Sequence, residues 1–138
     1  MNFAVKVYME AIRRGYRLLA EEPLFSIRPD APERKVSDPE VPYSSKICIP
    51  VDPDALTGLP TDGVGVMPAC RAFSILYHGD YTKTKRVDEI IGLLWAELGR
   101  RGLTAVGPMR IIGIIAPYVG MEFEAKEYVL RFAIPVEE

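Results

Sequence analysis

The feature that most limits how this chain can fold is that it repeats itself. Residues 43–51 read YSSKICIPV and residues 128–136 read YVLRFAIPV, so a Tyr-x-x-basic-x-x-Ile-Pro-Val segment recurs after 85 positions. Upstream, Arg13-Arg14-Gly15-Tyr16 is echoed by Arg100-Arg101-Gly102-Leu103 at a spacing of 87, and Pro23 and Pro108 are again 85 apart. Such a period means two modules of one plan in tandem, each dictating where the other's elements fall. The copies differ at their fronts. Residues 64–81 have no counterpart in the first copy, where Met1 already stands at the helix, so its leading strand is expected to be absent from this chain.

The elements can be read along the chain. Phe3, Val7, Met9 and Ile12 make an apolar stripe over 2–14, and Gly15 is placed to end that helix. Residues 24–28 read as a short strand. The loop at 29–42, with four prolines and little to bury, is expected to be exposed and mobile. A strand at 43–51 follows, then a turn-rich connection at 52–63. The long extended run of 63–79 holds Pro68, which predicts a bulge or bend. Thr82 or Thr84 is the expected cap of a second helix to about Arg101, with Val87, Ile90, Ile91, Leu94 and Leu98 on its buried side. A strand at 109–116, a loop through Pro117 and Gly120, and a strand at 128–136 complete the order.

Strands joined by short connections, with one helix per module, predict an α+β fold: one antiparallel sheet with both helices on one face. The 138 residues then form a single domain, made of a truncated first module (1–52), a linker (53–63) and a second module (64–138). A formal charge of −2 argues against a nucleic-acid-binding face. No apolar run approaches the ~20 residues of a membrane span. Lys6, Glu10, Arg13, Arg14 and Arg17 interrupt any signal-peptide core, so a cytoplasmic location is expected. Cys48 and Cys70 lie in strand-like runs without metal-ligand spacing; they are predicted reduced and buried, with a Cys48–Cys70 bridge as the alternative. The GVG at 63–65 lacks the continuation of a phosphate loop, and nothing points to a metal or a cofactor.

Residues 73–108 read FSILYHGDYTKTKRVDEIIGLLWAELGRRGLTAVGP, and 127–136 read EYVLRFAIPV. In the order His78-Gly79-Asp80-Tyr81, Trp95, Gly102-Leu103, Gly107-Pro108 and Ile134-Pro135-Val136, the chain resembles the gyrase-inhibitor-like (GyrI-like) small-molecule-binding domain. That domain is the effector module of AraC- and MerR-type multidrug regulators. The likeness is good over 64–136 and rests on the repeat over 1–63. It implies duplicated strand–helix–strand–strand (SHS2-type) modules, one curved sheet and a ligand groove between the halves. Two departures from the family pattern stand out. The acidic residue many members carry in the last strand is Arg131 here, with Lys46 at the equivalent place in the first copy, and the acidic-aromatic pair after Gly-Pro is replaced by Ile111 and Gly113. A guanidinium in the groove would favour carboxylates or phosphates over cationic ligands.

The candidate ligand-binding residues are therefore Trp95, Tyr8, Arg131, Tyr81, Lys46 and Ile111, each with a plainer reading beside it. Trp95 and Tyr8, 87 apart, are either aromatic walls around a flat guest or core anchors. Arg131 is either a ligand clamp or the partner of Glu122, Glu124 or Glu127, and Tyr81 either lines a groove mouth or staples a turn. His78, the lone histidine, has no triad partners and takes a structural place, so no catalytic residue is assigned. The expected partner is a small amphipathic or aromatic molecule, anionic if Arg131 faces it. A homodimer is expected to cover the vacant strand position. Two other functions compete: hydrolysis of reactive aromatic molecules, as some relatives perform, and a protein-interaction module of gyrase-inhibitor type.

Overall fold

A computed structural model of the chain describes residues 3–19, 21–40, 42, 44–115 and 125–138. Helix α1 spans Phe3–Arg13 and helix α2 Thr84–Arg100. The five apolar residues that recur every three or four positions in α2 (Val87, Ile90, Ile91, Leu94 and Leu98) are all buried. Each helix ends on a glycine with positive φ, Gly15 at 84° and Gly102 at 68°. Beyond each glycine the chain folds back, Tyr16 N–H reaching Ala11 O and Leu103 N–H reaching Leu98 O, both at 3.1 Å. Neither threonine caps α2. Lys83 stands at the cap without a side-chain bond, and the Asp80 carboxylate instead organises the turn by accepting the Thr82 amide at 2.8 Å.

Strands β1 (Phe25–Arg28), β2 (Lys46–Cys48), β3 (Arg71–His78), β4 (Met109–Ile115) and β5 (Val129–Val136) form one open antiparallel sheet in the order β2-β1-β4-β5-β3. The duplication holds at the level of single bonds. Ser26 pairs with Ile47 and Ile111 with Phe132, so both hairpins have the same register under the shift of 85. Leu18 bridges Val51 as Ala105 bridges Val136. Pro50 O accepts from Leu19 N–H at 3.3 Å, and Pro135 O from Val106 N–H at 2.9 Å. Asp52 N–H donates to Arg17 O at 2.8 Å, and Glu137 N–H to Thr104 O at 2.9 Å. The repeated Ile-Pro-Val thus has a physical task. Its proline offers a carbonyl, and needs no N–H, where the chain returning from the helix crosses the end of the strand.

β1 and β4 meet at the centre with Ser26 opposite Ile111, and these two residues are also repeat equivalents. An approximate twofold axis therefore passes through that pair, perpendicular to the sheet. Phe132, Ile111, Ser26 and Ile47 oppose one another in succession, so their side chains share one face. The α2 side chains pack on that face against Tyr77, Met109, Leu130, Phe132, Ile134 and Val136. The twofold sets α1 on the same face, where it packs by β2. Both helices cover one side, and β1 and β4 floor the space between them.

The connections depart from expectation. The loop at 29–42 is not simply exposed: Ala31 is buried in the α2 core, and the Asp88 carboxylate of α2 accepts Val36 N–H at 2.8 Å and Ser37 N–H at 2.9 Å. Strand β2 keeps three residues of the expected nine, and β3 begins at Arg71, leaving 64–70 without regular structure and Val66 at 92% exposure. Cys48 is half-buried, Cys70 is exposed, and both are free thiols, so neither the shared burial nor the bridge forms. The predicted loop through Pro117 and Gly120, and Glu122 and Glu124, lie outside the described residues. Among the described residues no helix is long and apolar enough to cross a membrane.

Candidate functional site

Seen end-on, the sheet-facing side of α2 is its Val87–Ile91–Leu94–Leu98 stripe. Asp88 and Trp95, seven residues apart and therefore two turns along one line, flank it. Because Asp88 binds the first module's loop, that flank faces the first half across the β1–β4 floor. Trp95 is half-buried against the core, and its indole Nε1 is enclosed without a hydrogen-bond partner among the described residues. A buried donor left unmade costs about 1–3 kcal/mol. Gly92 and Gly99 lie on the same flank, three residues before Trp95 and four after it, and a Cβ added to either would meet nothing within 4 Å. Each glycine in a helix interior costs about 1 kcal/mol relative to alanine. Nothing in the packing requires them, so they leave an open shelf beside the indole.

Across the space, the shift of 87 puts Tyr8 of α1 opposite in role to Trp95. Tyr8 is half-buried, and near it on α1 Met9 and Ile12 are apolar side chains at 49% and 50% exposure. Ile111, at the twofold axis, lies in the floor and packs against the core. Three of the six expected residues, Trp95, Tyr8 and Ile111, thus lie on the two helices and the central strand of the helix-covered face.

The other three do not. Arg131 pairs with Leu76 on one side and Ile112 on the other, so it alternates away from Leu130 and Phe132 onto the face without helices. There its guanidinium donates to Ser74 Oγ at 3.2 Å. Lys46, one residue from Ile47, faces the same way. Burial pushes the neighbouring Cys48 thiol up, while Lys46 and Arg110 pull it in the opposite direction, which sets these cations together on the helix-free face. Neither cation reaches the space between the helices. Tyr81 stands before α2 with its ring 5.1 Å from that of Tyr128, more than ~15 Å along the helix from Trp95. It staples the turn.

The Glu10 and Glu97 carboxylates are committed to their own helices. Arg13 and Arg14 clasp Glu10, Arg100 and Arg101 clasp Glu97, and both carboxyls are held down to about 2. Among the described residues no three His, Cys, Asp or Glu side chains gather as metal ligands. Sequence reasoning missed Asp88, the two glycines, and Arg28, whose buried guanidinium donates to Arg34 O at 2.7 Å and pairs with Asp30 at 3.3 Å. Only the glycines carried a readable signal, as helix-breaking residues inside a strong helical period. Compared with known proteins, the chain matches no family model and no curated protein.

Proposed function

We propose that this protein is a non-enzymatic binding module of GyrI-like type, which senses or sequesters a small amphipathic or aromatic molecule in the recess between α1 and α2. The observation that carries the reading is the enclosed indole N–H of Trp95, without a partner among the described residues and beside the Gly92 and Gly99 shelf. A guest lying there would stack on an aromatic wall, bury apolar surface worth about 25 cal/mol per Å2, and accept that N–H once the indole turns out of its enclosed position. With Arg131 and Lys46 on the other face, the chemistry asked of the guest is a flat apolar body with a hydrogen-bond acceptor, not a negative charge. The hydrolase reading finds no support in Glu10 and Glu97, since carboxyls held near 2 are poor bases at neutral pH.

Trp95 is the only tryptophan, so its fluorescence reports on this recess alone. Titration with a panel of anionic, cationic and neutral aromatics is expected to shift or quench that emission and to raise the melting temperature for acceptor-bearing members. A Tyr8→Ala variant should weaken the same ligands about tenfold, a loss near 1.4 kcal/mol. Silence of both fluorescence and melting temperature across the panel would remove the proposal.

A further inference from the structure

The internal symmetry shows what the outer edge of β2 is shaped to receive. In the second half, β5 is paired on both sides, by β4 and by β3, and runs eight residues. Its equivalent, β2, is paired only by β1 among the described residues and runs three. Among the described residues, no strand fills the position beside β2 that corresponds to β3.

The direction of the backbone groups follows from the proline motif. Pro50 O points inward to Leu19 N–H, and Asp52 N–H points inward to Arg17 O. In an antiparallel strand each residue sends both groups to one side, and neighbours alternate. Cys48 and Lys46 therefore also point inward, toward their partners Phe25 and Ile27 in β1. Ser45, Ile47 and Ile49 point outward. The missing N–H of Pro50 falls on the inner side, so proline does not block this edge.

We infer that the open edge of β2 pairs with β2 of a second copy of this chain, antiparallel about Ile47, making one continuous sheet across a symmetric dimer. The strand is complementary to itself in three respects. Ile47 would face its own copy as a mutually hydrogen-bonded pair, and Ser45 would face Ile49, so outward groups meet outward groups throughout. Ile47 and Ile49 present apolar side chains on the helix-covered face, the alternation that β3 shows there with Phe73, Ile75 and Tyr77. Lys46 would stand opposite Cys48, so the one cation of the strand does not meet its twin. A twofold interface is isologous, and this edge satisfies that condition.

The test is the mass in solution of the full chain, measured by light scattering and sedimentation across the micromolar range. Dimer is the expected result. Ile47→Pro deletes an outward N–H at the centre of the interface, which an edge strand tolerates, and should give a monomer with unchanged circular dichroism. A second variant reports independently of any disturbance to β2 by the proline: Ile47→Cys in a Cys48→Ser, Cys70→Ser background should form an intermolecular disulfide on mild oxidation, the paired Cα atoms being about 5.5 Å apart. A monomer at every concentration overturns the inference. So does a dimer that neither crosslinks at residue 47 nor responds to the proline, which would use another surface.

Discussion

Glu10 and Glu97 show what a repeat looks like at the scale of one side chain. Each accepts from the two arginines three and four residues onward, and each is drawn from an ordinary value of 4.5 to about 2 by those side-chain hydrogen bonds. A carboxyl lowered on folding stabilises the native state fully above its unfolded value and loses that contribution as pH falls through its folded one. The stability carried by this pair is therefore complete above about 4.5 and disappears toward pH 2. Glu97→Gln should lower the urea midpoint at neutral pH, by a small amount because the pair is exposed, and the difference from wild type should close as pH nears 2. A difference that stays constant with pH would mean that the charge is not what matters there. Gly92 makes a second prediction at this scale. Since a Cβ has room, Gly92→Ala should stabilise the protein by about 0.5–1 kcal/mol in denaturant titration, and at the same time weaken guest binding by narrowing the shelf beside Trp95. Stabilisation with unchanged binding would place the guest elsewhere.

At the scale of elements, legibility followed the strength of the local pattern. α2 was readable almost to the residue because five apolar positions hold the helical period over about three turns, and both helix ends were marked by glycines that take a left-handed backbone. β5 was readable too, and its alternation of Leu130, Phe132, Ile134 and Val136 already sets Arg131 on the other face. There the pattern and the family resemblance pointed to different sides, and the register follows the pattern. What could not be read locally was anything decided by a distant partner. The proline-rich loop is held by Asp88, more than fifty residues away in sequence, through two backbone amides. Any exposed aspartate on a helix looks the same in sequence, so nothing marked this one. β2 fell short of its predicted length for the same reason. Strand propensity in Ile47, Cys48 and Ile49 is ample, but a strand paired on one side lacks half of the ladder that extends β5.

Across the whole molecule the two halves share a plan and differ in what they bury. The second contributes nearly every large buried side chain: Met109, Phe132 and Ile134 are fully enclosed, and the α2 stripe lies over them. From the first half, the described buried residues are Ala11, Arg28 and Ala31, two of them small and one charged. Symmetric hydrogen bonding thus rests on an asymmetric core, and regions with few buried apolar contacts open at lower free energy than the global unfolding. Hydrogen exchange is expected to divide the chain along the twofold seam. Amides of α2 and β5 should exchange only through global unfolding, whereas their counterparts in α1 and those of β2 that bond to β1 in the matching register should exchange through a cheaper local opening. Leu94→Ala, emptying a site 3% exposed, should then cost about 2–5 kcal/mol and speed exchange everywhere, because it lowers the global limit. Removing the half-buried Val7, the α1 residue at the matching place, should speed exchange in the first half and leave the β5 amides near their original protection. Equal protection of the two halves in the monomeric protein would mean that backbone pairing, rather than buried apolar surface, sets local stability in this sheet.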